Sequence, residues 1–327
     1  ILAIGTRLSV AQIGHASENF APNAKKIIVD IDKNEIYHKP TIKADIGIIA
    51  DAKDFLSQFN PEIHSPSRYV TWMKRCQSMK AKYIPAWATP TGGISSYGFV
   101  EQLSDQLDIN AIVVTDVGFC FIPTMQTLNL KAGQRLIHSA GVSPMGWGIP
   151  AAVGACLASD GKPVVCLTGD GGAMMNIQEL QTIAARKLPI AIFVFENDGY
   201  ATMKIAQNNH FKREVMAGSR SGMSLPDFTK IAKAFGIHTM EFRSLNLLAH
   251  SIANIFDISA QSPIVIVMHM EPGEVIAPRV QARTENGKFL ATDIADMWPY
   301  LPREEFVLNM KAEKGFGNAV KRLDEQR

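Results

Sequence analysis

Two short polar turns, each placed directly after an apolar run, constrain this chain more than any other feature. Residues 169–172, which read GDGG, follow the apolar run 163–168, and residues 196–200, which read ENDGY, follow the run 190–195. Runs this short are typical of buried strands, and helix formers are frequent over 175–186. The pattern predicts a strand–helix–strand unit. Both turns then lie at the carboxyl ends of parallel strands, the edge where open α/β sheets bind ligands.

The side chains of these turns suit a divalent cation that carries a diphosphate. Asp170 places a carboxylate at the start of the predicted helix, and helix N-termini attract phosphate. Asn197 lies 27 residues further on, and the crossover brings its turn back beside the first. We predict that Asp170, Asn197 and the Gly199 carbonyl ligate Mg²⁺, which completes such a small oxygen set with phosphate and water. Either turn alone would be read as an ordinary turn, but the two at this spacing favour a site.

The segment GDGGAMMNIQELQT, followed by LPIAIFVFENDGY, resembles the signature of thiamine diphosphate (ThDP) enzymes, and most closely their acetolactate synthase branch. The resemblance implies ThDP and Mg²⁺ as cofactors. The family usually has Asn at both positions 196 and 197, whereas this chain has Glu196 before Asn197. The resemblance implies that Asn197 keeps the metal-ligand role and that hydrogen bonding around Glu196 differs.

A second phrase, residues 138–155, reads HSAGVSPMGWGIPAAVGA and resembles the family phrase GLGTMGFGLPAAIGA. The resemblance implies that Met145 is the apolar buttress that bends ThDP, and that the Ser143 carbonyl holds its amino group. A lone Met would be read as a core residue. His138 has no metal-binding partner at ligand spacing and is interpreted as structural.

The turn at 116–118, which reads DVG, resembles a family turn that contacts the diphosphate. Relatives often carry Gln or His after the Gly, but Phe119 and Cys120 stand here, which leaves backbone N–H groups for the contact. No His is placed nearby in sequence to make Cys120 a nucleophile. The predicted cofactor-binding residues are Gly118, Phe119, Cys120, Ser143, Met145, Gly169, Asp170, Gly171, Gly172, Asn197, Gly199, Tyr200 and Ala201.

The predicted fold class is α/β, with a parallel-sheet ThDP diphosphate-binding domain preceded by part of a Rossmann-like middle domain. Residues 1–59 alternate short strands and helices and resemble the second half of that middle domain, in which some relatives bind FAD or ADP. Asp30 and Asp32 could meet a ribose there, but no Gly-rich phosphate turn precedes them, so solvated acids are favoured and FAD is the less favoured cofactor. The predicted divisions are 1–59, a helix-bearing linker at 60–90, the diphosphate-binding domain at 91–270 and a tail at 271–327.

Composition limits the alternatives. With 46% hydrophobic and 20% charged residues, the 327-residue chain is globular, and its formal net charge of +2 gives no nucleic-acid footprint. No apolar run reaches the roughly 18 residues of a membrane span. The four cysteines show no CxxC or zinc spacing. We expect a cytoplasmic protein without a nucleic-acid or membrane partner.

The resemblance implies a carboligase that decarboxylates a 2-oxo acid, with pyruvate favoured, and transfers the two-carbon unit to a carbonyl acceptor. Met203 stands at about the position where decarboxylases of the pyruvate type keep a Glu. Ala206 stands near the position of a Trp in plant and fungal acetolactate synthases. Both differences favour carboligation onto an acceptor. Residues 208–210 are polar candidates for acceptor contact or a solvated loop. The alternatives are a ThDP-dependent 2-oxo acid decarboxylase and a non-catalytic nucleotide-binding or assembly module.

One part of the expected machinery has no candidate in this sequence. In the family, an activating Glu lies on a separate pyrimidine-binding domain, and no Glu here can be given that role. The chain also begins inside an apolar, strand-like run, residues 1–4. We therefore expect a fragment, or a subunit that needs a partner, which is inactive alone. The intact enzyme is expected to be a homo-dimer or homo-tetramer.

Overall fold

The computed structural model describes residues 1–39, 41–60, 70–83, 92–281, 283–285, 288–290 and 293–311. The chain divides into two compact units, Ile1–Pro85 with Ala277–Arg327, and Ala86–Ile276. Parallel strands and helices build both units, which confirms the predicted α/β class. Among the described helices, none combines the length and apolar character that crossing a bilayer requires.

The first unit contains a small parallel sheet with the order β1-β2-β3. Isoleucine-rich segments form these strands because β-branched side chains suit a half-buried sheet. Two carboxylates at the end of β2 accept hydrogen bonds from backbone amides. Asp30 accepts from the Asp32 amide, and Asp32 caps the next helix by accepting from the Asn34 amide. The elements are β1 (Leu2–Ile4), α1 (Val10–Ile13), β2 (Ile27–Asp30), α2 (Lys33–Tyr37), β3 (Ile46–Ile49), α3 (Ala52–Gln58) and α4 (Val70–Lys82).

The second unit is built on a larger sheet, in which the described strands run parallel in the order β5-β4-β6-β7-β9-β8. Its central strands are almost continuously apolar, as expected for strands covered on both faces. The strands are β4 (Ile112–Thr115), β5 (Arg135–Ile137), β6 (Val164–Gly169), β7 (Ile190–Glu196), β8 (His238–Phe242) and β9 (Ile264–His269). The helices are α5 (Ser96–Gln106), α6 (Phe121–Thr127), α7 (Gly148–Ala158), α8 (Asp170–Met175), α9 (Glu179–Ala185), α10 (Ala201–Phe211), α11 (Phe228–Ala234) and α12 (Leu245–Ser259).

The strand order places a topological switch point between β4 and β6. The strand that follows β4 in the chain, β5, pairs with one edge of β4. The next strand, β6, pairs with the opposite edge of β4. Ligands of open α/β sheets bind in the crevice outside the carboxyl ends of such strands. Asp116 directly follows β4, and Asp170, the first residue of α8, directly follows β6, so both acids lie at this edge.

The described part of the C-terminal segment adds a short antiparallel hairpin, β10 (Arg283–Glu285) and β11 (Lys288–Leu290), and a helix, α13 (Arg303–Lys311). Within the same unit, Tyr83 donates to Glu305 at 2.6 Å and Lys82 forms an ion pair with Glu305 at 2.7 Å. These contacts tie α13 to the end of α4. The segment is therefore more regular than its weak sequence periodicity indicates.

Two expectations about helices differ from the structure. The helix expected over 175–186 begins later, as α9 at Glu179, and a separate short helix, α8, covers 170–175, where the sequence indicated a turn. Between the two helices, the Asn176 side chain donates to the Gly146 carbonyl at 2.8 Å. Residues 208–210, the candidate solvated loop, belong to α10.

Candidate metal and diphosphate site

Asp170 links the two turns that the sequence predicted to converge. It is fully buried at the junction of β6 and α8. Its Oδ1 accepts from the Gly171 amide at 2.6 Å, and its Oδ2 accepts from the Asn197 amide at 3.0 Å and the Gly199 amide at 2.9 Å. One carboxylate therefore holds the start of α8 against the turn that follows β7.

The Asp170 carboxylate carries a charge that its hydrogen-bond donors do not neutralise. Burial raises the pKa of this group to about 6, and the three backbone donors only partly oppose the effect. All three donors are neutral amides. A divalent cation beside the carboxylate would supply the missing positive charge.

The metal-free protein should become less stable as pH rises through the titration of Asp170. Its folded pKa of about 6 lies above the ordinary 3.8, so the folded state binds the proton more tightly. Below pH ~4 the carboxyl group is protonated in the folded and the unfolded state, so it does not lower the free energy of unfolding. The free energy of unfolding then falls between pH ~4 and ~6 and stays about 3 kcal/mol lower above that.

The measurement is denaturant unfolding in a metal chelator from pH 4 to 8, comparing the wild type with Asp170→Asn. The difference between the two free energies should change with pH by about 3 kcal/mol. A difference that stays constant with pH would show that Asp170 does not carry the effect.

Asn197 offers the second oxygen. Its Oδ1 is buried and has no hydrogen-bond partner among the described residues. Leaving a buried polar atom unpaired costs about 1–3 kcal/mol, so native proteins rarely do so without a ligand to complete it. An unpaired amide oxygen on the turn that Asp170 holds is the donor that a hard cation such as Mg²⁺ prefers. The two side chains fit the predicted metal.

The site does not depend on a cluster of acids. No group of three or more His, Cys, Asp or Glu side chains arranged for a metal occurs in the described ranges. The available ligands are one carboxylate, the Asn197 amide oxygen and the Gly199 carbonyl. Mg²⁺ commonly binds through one or two carboxylates and takes its other ligands from water and phosphate.

Glycines leave room for the turns to approach each other. A side chain at Gly171 would collide with the Tyr200 ring, and a Cβ at Gly172 would lie 2.9 Å from Asp116 Oδ2. Gly199 has a φ of 109°, and a Cβ there would lie 2.5 Å from the Ala217 carbonyl oxygen. The Gly171 amide is already used by Asp170.

The structure adds one buried acid that the list of predicted site residues omits. Asp116 follows β4, and it accepts from the Val117 amide at 2.8 Å and from the Thr168 hydroxyl at 3.1 Å. Burial raises its pKa. Its Cβ lies 2.9 Å from where a Cβ at Gly148 would be, so Asp116 connects the ends of β4 and β6 with the start of α7. In the sequence, Asp116 directly follows an apolar run, and this is the same pattern that identified Asp170 as a candidate.

The turn after Asp116 offers backbone rather than side chains. Gly118 has a φ of 88°, whereas Phe119 and Cys120 are buried. The Cys120 thiol donates to the Val117 carbonyl at 3.3 Å, and burial raises its pKa to about 12. Cys120 is therefore not a thiolate nucleophile at neutral pH.

The loop before α7 presents Met145 at the surface of this unit. Met145 is 37% exposed, so it is not a core residue. Ser143 has a φ of 52°, and its amide donates to the Ser139 carbonyl at 2.6 Å. This hydrogen bond stabilises a conformation that is uncommon for a residue other than Gly, Asn or Asp. The exposed Met145 stays the predicted cofactor buttress.

Glu196 has partners that the sequence did not reveal. Its carboxylate contacts His269 Nδ1, and His269 Nε2 contacts Glu241 Oε1 at 2.6 Å. Glu196 and His269 are register partners at the ends of β7 and β9. The Glu196 carboxylate thus contacts β9 directly, and Glu241 of β8 is connected to it only through His269. These residues meet because β9 lies between β7 and β8 in the sheet.

Comparison with known proteins identifies the class to which this fold and site belong. Residues 116–268 match the thiamine pyrophosphate enzyme, C-terminal TPP binding domain, and residues 1–59 match the thiamine pyrophosphate enzyme, central domain. The chain belongs to the thiamine pyrophosphate enzyme family. The family predicted from the two turns is confirmed.

Acetolactate synthase large subunits are among the proteins similar to this chain. The chain is 31% identical over 290 residues to the isozyme 1 large subunit of Escherichia coli, which covers 88% of this chain and 50% of the relative. It is 29% identical over 293 residues to a probable acetolactate synthase large subunit of Methanococcus aeolicus, and that alignment covers 85% of this chain and 48% of the relative. The chain thus spans about half the length of these relatives.

Proposed function

We propose that the protein is a ThDP- and Mg²⁺-dependent carboligase of the acetolactate synthase type. It would decarboxylate a 2-oxo acid, with pyruvate as the first candidate, and transfer the two-carbon unit to a carbonyl acceptor. One observation carries the proposal. The buried Asp170 carboxylate and Asn197 Oδ1, which has no hydrogen-bond partner in the described part of the chain, lie at the ends of neighbouring parallel strands. The Asp170 carboxylate accepts from the Asn197 amide and so holds the two segments together. The similarity to acetolactate synthase large subunits supports the reaction class.

Each predicted residue has a binding or shaping task in this proposal. Asp170, Asn197 and the Gly199 carbonyl hold Mg²⁺, and the backbone of residues 118–120, 169 and 171–172 approaches the diphosphate. Met145 and the Ser143 carbonyl shape the cofactor, while Tyr200 and Ala201 lie where α10 begins beside the metal turn. When bound, ThDP supplies an electron sink for the carbon that loses carbon dioxide. The protein's part is to bind and orient it.

The remaining attributes of the intact enzyme are proposals of the same kind. The relatives are about twice as long as this chain, and we propose that the activating Glu lies on a domain outside these residues. The chain alone would then give no turnover. We propose a cytoplasmic homo-dimer or homo-tetramer that acts on small molecules, without a nucleic-acid or membrane partner.

The test uses the full-length protein with ThDP, Mg²⁺ and pyruvate, and measures both carbon dioxide and the organic product. We expect carbon dioxide with a hydroxyketone product, lost on chelation of Mg²⁺ and absent for the isolated chain. An aldehyde product would favour the decarboxylase alternative. No Mg²⁺-dependent ThDP binding by the full-length protein would leave only the non-catalytic module.

A further inference from the structure

The metal turn adopts a backbone conformation that needs external support. Asp198 has a φ of 62° and Gly199 a φ of 109°, so two consecutive residues occupy the left-handed region. A residue other than Gly in such a region typically costs about 1–3 kcal/mol, and it persists where neighbouring contacts hold it. The contacts that hold this turn therefore decide where the Asn197 side chain stays.

The Ser219 amide donates to the Asp198 carboxylate at 3.1 and 3.2 Å. Lys204, in the first turns of α10, supplies three further contacts. Its ammonium donates to the Asp198 carbonyl at 2.5 Å, to the Asp198 carboxylate at 3.0 Å and to the Asn197 carbonyl at 3.3 Å. The Lys204 side chain is only 19% exposed. A Cβ at Gly218 would lie 2.6 Å from the ammonium nitrogen. The glycine therefore leaves the space that the Lys204 side chain occupies.

We propose that Lys204 is a positioning residue for the cofactor's metal. Its ammonium holds the carbonyls of Asn197 and Asp198, which fixes the turn and keeps Asn197 Oδ1 on the same site as Asp170. The inference rests on the proposed function. Lys204 does not bind the ion, because an ammonium has only donors and no lone pair to offer.

Electrostatics and positioning predict different results for the loss of Lys204. A positive charge near the site repels the divalent cation and attracts the anionic diphosphate, so by Coulomb's law alone the removal of Lys204 should change the binding of Mg²⁺ with ThDP little. If Lys204 positions the turn, its removal should weaken binding clearly, because the ligand oxygens are no longer held together. The size of the change therefore separates the two roles.

The experiment measures Mg²⁺-dependent ThDP binding by calorimetry in the full-length protein. We expect Lys204→Met to weaken binding at least about 10-fold, the range typical of residues that orient metal ligands, and Lys204→Arg to recover most of the loss. Lys233→Met, which removes an exposed lysine of α11, should leave binding unchanged. Unchanged or tighter binding by Lys204→Met would overturn the inference.

A second variant separates the carbonyl contacts from the ion pair. Asp198→Asn removes the charge pairing, retains one oxygen that can accept from the Ser219 amide, and keeps a residue type that tolerates a positive φ. It should therefore weaken binding less than Lys204→Met does. An equal or larger loss in Asp198→Asn would contradict the assignment to the carbonyl contacts.

Hydrogen exchange provides a readout that needs no ligand. The Asn197 and Gly199 amides donate to Asp170, and in Lys204→Met they should exchange about 10-fold faster because the turn opens locally. Unchanged exchange would overturn the inference whether or not ThDP binds. A wild-type protein that binds no ThDP would instead overturn the proposed function, and the exchange rates would still decide whether Lys204 holds the turn.

Discussion

Replacing Asp170 with Asn is expected to weaken Mg²⁺-dependent ThDP binding by at least about 100-fold while the protein stays folded. The substitution removes the one carboxylate of the proposed ligand set and retains an oxygen of similar shape. Loss of a residue that only supports a metal ligand typically costs 10- to 100-fold in affinity, so loss of a ligand should cost no less. Calorimetric titration of the full-length protein with ThDP at saturating Mg²⁺ measures the change.

Two comparisons keep this prediction specific. Asp257→Asn removes an exposed carboxylate from α12 in the same unit, and it should bind ThDP as the wild type does. Thermal unfolding of metal-free Asp170→Asn checks that the protein is folded. Loss of the buried charge favours the variant at neutral pH, whereas its NH₂ group meets backbone N–H donors that a carboxylate oxygen accepted, so a modest change in stability is expected. Wild-type affinity in Asp170→Asn would remove the metal site from the proposal.

Replacing Gly199 with Ala is expected to destabilise the protein by about 2 kcal/mol or more and to weaken cofactor binding at the same time. The φ of 109° is strained for any residue with a Cβ, which typically costs about 1–3 kcal/mol. The added Cβ would also lie 2.5 Å from the Ala217 carbonyl oxygen, a backbone atom that cannot rotate away. The turn must shift, and the Gly199 amide and carbonyl shift with it.

Gly154→Ala is the matched control for the Gly199 substitution. Gly154 lies inside α7, and a Cβ there meets no atom within 4 Å. Because Ala favours helices over Gly by roughly 0.5–1 kcal/mol, this variant should be slightly more stable and should bind normally. Denaturant unfolding gives both free energies. If Gly199→Ala unfolds at the same denaturant concentration as the wild type, the turn tolerates a side chain and the strain argument fails.

The strands and the convergence of the two turns could be predicted from local pattern. Each apolar run was followed by a polar turn, and a crossover of this length returns the second strand beside the first. The short helix α8 and the break before α9 could not be predicted in this way. At the break, the Asn176 side chain donates to the Gly146 carbonyl, which is distant in sequence, and local pattern does not reveal such a contact.

The partners of individual polar groups were less accessible than the strands. Asp116 follows its strand just as Asp170 does, yet its contacts with Thr168 depend on β6 pairing with β4. His269 contacts both Glu196 and Glu241 because β9 lies between β7 and β8. Such pairings follow from strand order, and a local pattern of hydrophobic residues does not encode strand order.

The sequence by itself determined the α/β class, the family, and the carboxylate and amide predicted to share one edge of the sheet. These follow from residue type and spacing, which act over a few tens of residues. The tertiary structure alone decided that Asp170 is fully buried and accepts from three backbone amides, that Asn197 Oδ1 has no partner among the described residues, and that Lys204 holds the turn. Burial and unpaired groups depend on which distant segments exclude water from a given atom, and that is settled only when the whole sheet has assembled.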